Sequence, residues 1–263
     1  MLAIIGGSGV YNPELLEDLT TAQISTPYGS VEYVQGNLEG QAVVFLTRHG
    51  GGHTVPPHLV NYRANIWALK KLGVTKIIAT AAVGSLDPHI APGDFVLVDD
   101  FLDFTKSRPT TFFDGQEGKV LHVDMNHPYC PCLREDILTA AQTLQLPMVK
   151  TGIYVCAEGP RYESKAEIKV FQHLGGTVVG MTNVPECVLA KEAEMCYATI
   201  CLITNYAAGI TKNNLTFKEV VDIMEVKKLE LQNLLRLSIV AARNSDCTCN
   251  CFQAATEIGG FKV

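Results

Sequence analysis

Residues Thr177–Thr204 read TVVGMTNVPECVLAKEAEMCYATICLIT. Thr177–Met181 and Ala198–Thr204 are short apolar runs rich in β-branched residues. Between them Pro185–Cys196 has helical periodicity, and Pro185 suits a first helical turn. Strand, helix and strand follow one another closely, and the strands carry no polar alternation. Such strands are buried on both faces, which requires a parallel or mixed sheet covered by helices on both sides.

The same alternation extends outward in both directions. Further strands are predicted at Leu2–Ile5, Ala42–Leu46, Lys76–Thr80, Phe95–Val98 and Gly152–Cys156. Helices are predicted at Val60–Leu72, Pro131–Leu144, Ser164–His173 and Phe217–Ala242. The last has a capping-box start, with Thr216 as the cap and Glu219 reaching back. No repeat, low-complexity linker or composition shift divides the chain. A single α/β domain over 1–245 is expected, a central mixed β-sheet flanked by helices on both faces, followed by a Cys-rich tail, 246–263.

The 263 residues are 47% apolar and 18% charged, with a formal net charge of −6. That balance suits a globular protein and argues against a nucleic-acid partner, which demands a basic face. No apolar run is long enough to span a bilayer, and the start, Met1 to Gly6, lacks the basic region of a signal peptide. The expectation is a cytoplasmic protein.

In α/β sheets ligands gather beyond the carboxyl ends of strands, and four such ends are unusual here. Gly6-Gly7-Ser8-Gly9 offers close backbone N–H groups and a hydroxyl to an anion, or is a plain glycine turn. Asn12 stands where a dinucleotide fingerprint needs its third glycine, which counts against a nucleotide-cofactor oxidoreductase. Thr47-Arg48-His49-Gly50-Gly51-Gly52-His53 presents a guanidinium fork suited to phosphate, or a solvated loop arginine. His49, His53 and His58 are close in sequence, but a glycine run is a poor scaffold for metal ligands, and no metal site is expected there. Thr182, ahead of the Pro185 helix, either holds an anion at the positive helix end or simply caps it. Asn205 ends the most apolar strand; it either forms a turn or presents its amide to a heterocycle edge.

Nine cysteines, an odd number scattered through apolar segments, do not form a secreted disulfide framework. Cys156, Cys196 and Cys201 read as core thiols. Cys130-Pro131-Cys132 and the tail Cys247-Thr248-Cys249-Asn250-Cys251 hold thiols close together. The tail reads as a tolerated exposed segment, a redox-active or disulfide pair, or a metal clip. It lacks a second ligand pair at finger-like spacing, which weighs against zinc.

Together the motifs Gly6-Gly7-Ser8-Gly9, Arg48-His49-Gly50, Val60-Asn61-Tyr62-Arg63-Ala64-Asn65, Ala82-Val83-Gly84-Ser85, Glu158-Gly159-Pro160-Arg161, Gly180-Met181-Thr182 and Val184-Pro185-Glu186 resemble the trimeric purine nucleoside phosphorylase and methylthioadenosine phosphorylase family, in its order and spacing. The resemblance covers nearly the whole chain. It implies the nucleoside phosphorylase fold, a pentosyltransferase of purine salvage, no cofactor beyond phosphate as co-substrate, and a homotrimer or dimer of trimers. It places phosphate against Ser8, Arg48, His49, Ala81, Ala82 and Thr182. Met181 would line the ribose and Tyr162 the base or sugar. Glu163, Asn205, Tyr206 and Ala207 would surround the purine, and His122 would reach a neighbouring subunit's site. The catalytic set implied is Asn205, Glu163 and His49.

Departures from the family pattern set the expected specificity. Ala81 replaces a Thr or Asn, removing one side-chain contact to phosphate, although the Ala82 amide remains. Asn205, Ala207 and Glu163 stand where the adenine branch has Asp, Asp and Ser. A carboxylate at Glu163 can accept the N1–H of a 6-oxopurine, and Asn205 can donate to O6 or N7; adenine inverts that pattern. An ion pair of Glu163 with Arg161 or Lys165 is the alternative. Phe217 replaces a His that contacts the 5′-hydroxyl in inosine enzymes, so it either favours a 5′-methylthio group or is a core contact. The expectation is phosphorolysis of inosine and guanosine, with S-methyl-5′-thioinosine or methylthioadenosine as the alternative substrate.

Overall fold

The computed structural model describes residues 1–8, 10, 15–50, 52, 54–115, 118–212, 215–245 and 247–263. Gly9 and Asn12, Gly51 and His53, and the first tail residue Asp246 lie outside the described residues.

Among the described residues eleven strands form one mixed sheet: β1 (Leu2–Gly6), β2 (Glu17–Thr26), β3 (Gly29–Leu38), β4 (Gln41–Thr47), β5 (Lys76–Ser85), β6 (Phe95–Leu97), β7 (Asp100–Phe104), β8 (Met148–Val149), β9 (Ile153–Ala157), β10 (Val178–Gly180) and β11 (Cys196–Tyr206). The described α-helices are α1 (Tyr62–Lys71), α2 (Pro131–Thr143), α3 (Lys165–His173), α4 (Asn183–Glu192) and α5 (Phe217–Asn244). The main path runs β2-β3-β4-β1-β5-β10-β9-β7, and β11 leaves it by pairing with β5 and β6. The expected fold, a mixed sheet with helices on both faces, is therefore present.

Side-chain alternation explains the two faces. Ala3, Ile5, Ile77 and Ala79 join the core beneath α1 and α4. Leu2, Ile4 and Ile78 join the opposite core beneath α2 and α5. Helix starts follow local chemistry: Asn61 accepts from the Ala64 amide, and Ser164 and Thr216 each complete a capping box, with Glu167 and Glu219. Helix α4 stops at Glu192 rather than Cys196, because Glu194 adopts a left-handed φ of 56° and the chain turns into β11. The tail packs onto the body. Cys251, Ala255 and Phe261 are buried, and the Phe261 ring lies 4.9 Å from Phe112 and 5.2 Å from Trp67.

The middle of the sheet contains the feature that makes a site. β1 runs parallel to β5 and pairs with it from Lys76 to Ala79. β10 comes from the other direction and pairs only with Ser85 and Gly84. Both occupy the same edge of β5, so Thr80–Val83 faces a gap between two strand ends. β11 covers the opposite edge along its full length.

Gly180, at the end of β10, is required by close packing. A Cβ there would collide with Tyr154 Oη and lie 2.6 Å from its Cζ, and Tyr154 is fully buried. Gly180→Ala is expected to destabilise the protein by about 1–3 kcal/mol through overpacking, measured by urea denaturation. An unchanged midpoint would show that Tyr154 can yield.

Candidate active site

A cleft of about 470 Å3 opens over the gap in the β5 edge, within the range of small-molecule sites. At its floor the Gly7 amide donates to Thr80 Oγ1 at 2.9 Å, and Arg48 Nη1 donates to the Thr80 carbonyl at 2.9 Å. Backbone groups two residues apart on a strand share an edge, so the Ala82 amide points the same way as that carbonyl, into the gap. Ser8, Ala81, Ala82 and Thr182 line this end. Thr182 makes no side-chain capping bond to α4. Its amide instead donates to Tyr154 Oη at 3.3 Å.

Arg48 is not the solvated loop arginine that the sequence left open, since its side chain is fully buried. Its Nε and Nη2 donate to the two carboxylate oxygens of Glu186, each at 2.6 Å. Three of the five guanidinium N–H groups are thereby used, and two remain for a ligand. Tyr197 Oη lies 2.7 Å from Glu186 Oε1 and 2.9 Å from Asn183 Oδ1, and Thr199 Oγ1 donates to the same Asn183 oxygen at 2.8 Å. This buried network fixes the guanidinium in place. Burial opposes its charge, but the Glu186 carboxylate and its hydrogen bonds raise the pKa well above the ordinary arginine value.

His49 is buried, with Nδ1 2.9 Å from the Val55 carbonyl. A carbonyl only accepts, so Nδ1 carries a proton. The neutral ring then offers an acceptor at Nε2, and only the imidazolium donates to an anion. This qualifies the expectation that phosphate sits against His49.

The far end of the cleft is set by an irregularity in β11. The register against β5 shifts between Ile203 and Asn205, a bulge that re-aims the strand end. Asn205 and Ala207 line the cleft. The Asn205 amide is supported locally: Oδ1 accepts from Thr204 Oγ1 at 2.9 Å, and Nδ2 donates to the Tyr206 carbonyl at 3.0 Å. Tyr206, expected at the substrate, does not line the cleft. Successive side chains on a strand point to opposite faces, and its hydroxyl donates to the Pro88 carbonyl at 3.4 Å.

Glu163 faces the same cleft and is 9% exposed. Among the described residues its Oε1 is buried without a hydrogen-bond partner. The alternative pairing with Arg161 does not form, because Arg161 makes a two-pronged bond to Glu167 at 2.7 and 2.9 Å. Burial pushes the Glu163 carboxyl above the usual carboxylate range. Met181 and Tyr162 line the middle, and Phe217 stands at the mouth with Leu215 and Val220. His122 is exposed and does not line the cleft of its own chain.

Sequence reasoning missed Glu186, Asn183, Tyr197 and Thr80. Glu186 lay inside a motif already singled out, and a carboxylate on an otherwise apolar helix start was the available signal.

The phosphorylase superfamily model matches residues 1–239. Over 254 residues the chain is 50% identical to the 6-oxopurine nucleoside phosphorylase of Pyrococcus furiosus, covering 94% of this chain and 96% of that protein. It is 52% identical over 241 residues to a probable S-methyl-5′-thioinosine phosphorylase of Methanothermobacter thermautotrophicus, covering 91% and 83% of the two chains. Methylthioadenosine phosphorylase from Schistosoma mansoni, solved in complex with adenine, superposes with a TM-score of 0.92 at 32% identity, covering 97% of this chain and 96% of that one. With the strand-end gap, the buried Arg48 and the whole-chain match all in agreement, this chain belongs to the phosphorylase superfamily and has the nucleoside phosphorylase fold.

Proposed function

We propose that the protein cleaves 6-oxopurine nucleosides, inosine and guanosine, by phosphorolysis. The observation that carries this reading is the buried, unpartnered Glu163 Oε1, facing the cleft whose other end holds a fixed guanidinium. A buried carboxylate oxygen lacking a donor is unfavourable by itself. The N1–H of a 6-oxopurine supplies that donor; adenine, with a bare N1, does not.

Phosphate sits in the β5 gap, held by the remaining Arg48 donors, the Ser8 and Thr182 hydroxyls and the Ala82 amide. It needs no metal or enzyme nucleophile. A phosphate oxygen bonds to C1′ as the C1′–N9 bond breaks, and the bonding pair leaves with the purine. Positive charge on the sugar is offset by the phosphate dianion. Negative charge on the purine is met by Asn205 near N7 or O6, and the ring then takes a proton at N7 from solvent water. Ribose 1-phosphate and the free base are the products.

His122 serves a neighbouring subunit, in a trimer or a dimer of trimers. Its exposure away from its own cleft supports this, as does the exposure of Tyr162 and Phe217 at the mouth. The decisive experiment compares inosine, guanosine and adenosine cleavage with and without phosphate. Equal breakdown in phosphate-free buffer overturns the reading, as does a preference for adenosine.

The apolar mouth formed by Phe217, Leu215 and Val220 favours a second substrate, S-methyl-5′-thioinosine. Phe217→His is expected to raise kcat/KM for inosine relative to methylthioinosine by roughly tenfold, the effect of one added hydrogen bond. Parallel changes for both substrates would place Phe217 outside the 5′ pocket.

A further inference from the structure

Six of the nine cysteines meet at one place that nucleoside cleavage does not use. Cys130 precedes α2 and Cys132 lies in its first turn; Cys196 opens β11; Cys247, Cys249 and Cys251 come from the tail. The expected core thiols Cys156 and Cys201 stay apart from this group, but Cys196 belongs to it. Cys196 Sγ lies 3.5 Å from Cys249 Sγ and 3.8 Å from Cys247 Sγ, and Cys130 Sγ lies 3.8 Å from Cys247 Sγ. The sulfurs of Cys130, Cys196, Cys249 and Cys251 all fall within 4.8 Å of one another. All are free thiols.

We propose that Cys130, Cys196, Cys249 and Cys251 form a structural site for one zinc ion. Four sulfurs each about 2.3 Å from a central zinc are separated by about 3.8 Å; within this set Cys196 and Cys249 lie 3.5 Å apart, and all four sulfurs stay inside 4.8 Å. The ligand set contains only sulfur, which selects thiophilic ions over magnesium, calcium or manganese. A second overlapping set, Cys130, Cys132, Cys247 and Cys249, also meets the distance requirement. The first set is better enclosed: three of its members are buried, whereas only Cys130 is buried in the second. It also lies beside a cation, with Lys191 Nζ 4.0 Å from Cys251 Sγ and largely buried. A zinc tetrathiolate carries two negative charges, and Lys191 offsets part of them.

Binding replaces four S–H bonds by four Zn–S bonds and releases four protons to solvent, with no change of oxidation state. The ion ties the tail to the start of α2 and the start of β11. The sequence hid this site because the second ligand pair comes from the body of the fold, far along the chain from the tail.

The test uses the full chain, purified with a thiol reductant and no metal, then titrated with Co2+ and afterwards with Zn2+. Saturation at one equivalent is expected, with sulfur-to-cobalt charge-transfer absorption and tetrahedral d–d bands that Zn2+ abolishes. The double variant Cys249→Ser, Cys251→Ser should retain less than a tenth of the bound metal. Cys132→Ser should retain one equivalent. If the double variant fails to fold, the cobalt spectrum of the unaltered chain and the Cys132→Ser stoichiometry still decide. Absence of the charge-transfer band overturns the site, and so does loss of metal in Cys132→Ser. Natively isolated chains whose mass shows paired, oxidised sulfurs and no metal would also overturn it. None of these outcomes bears on the phosphorolysis reading, which is tested at a separate place in the fold.

Discussion

Replacing Glu186 by alanine is expected to destabilise the protein by about 3–5 kcal/mol, because it leaves the Arg48 guanidinium buried without its counter-charge. Both side chains are fully enclosed, and their two bonds are 2.6 Å each. For a chain of this size the change corresponds to a fall in Tm on the order of 10 °C. Activity should fall as well, since Arg48 would lose the partner that aims its two remaining N–H groups at phosphate. KM for phosphate is therefore expected to rise even at temperatures where the variant is folded. Glu186→Gln keeps one acceptor and should show a smaller fall in Tm. Scanning calorimetry with phosphate-dependent kinetics tests the pair of variants. A Tm within a degree of the parent would mean that Arg48 finds another partner.

Glu163→Gln is expected to reverse base preference. For inosine the variant loses a charge-assisted hydrogen bond, worth about 1.5–3 kcal/mol, or roughly 10- to 100-fold in kcat/KM. For adenosine the new amide can donate to the bare N1, so cleavage should improve. The ratio of the two kcat/KM values reports the change independently of any loss of folded protein.

The same residue sets the pH dependence. Burial raises the Glu163 pKa, so folding favours its protonated form. Above the folded pKa the carboxylate detracts from stability, and that penalty is relieved as the pH falls through the folded pKa. Binding runs the other way, because the carboxylate accepts N1–H with the assistance of its charge and the protonated acid does not. Inosine kcat/KM in the parent should therefore fall on the acid side, with a midpoint above 4.5, the ordinary glutamate value. Glu163→Gln should remove that limb, and its persistence would assign the titration to another group.

The sheet was legible wherever strands are buried on both faces. Leu2–Gly6, Gln41–Thr47 and the start of β5 show as apolar runs, and the helix starts show through Ser164 and Thr216. The hairpin β2–β3 was not legible. It lies at the sheet edge, its first strand is largely exposed, and its threonines and charges give no apolar signal. The extension of β5 to Ser85 and of β11 to Tyr206 was hidden by glycine, serine and asparagine, which read as turns.

Within the site, Arg48, Thr182 and Asn205 were found because each places polar chemistry at an apolar strand end, whereas Glu163, beyond β9 and just ahead of α3, came only from the family resemblance. Glu186 acquires its meaning only through Arg48, 138 positions away, and no local pattern shows that pairing. The tyrosine at 206 was misplaced because successive side chains alternate faces, so Asn205 and Ala207 share the cleft while Tyr206 turns to the Pro88 carbonyl.

On the proposed reading, the split edge of β5 separates two kinds of recognition. The oxyanion seat is made largely of main chain and of side chains locked into the interior, so few surface substitutions reach it; Ala81 can lack a hydroxyl without emptying it. On that reading the heterocycle and the 5′ group would meet residues beyond the bulge and at the mouth, which can change without disturbing the strands behind them. Such a scaffold can exchange one purine or sugar tail for another while the bond-breaking step stays the same.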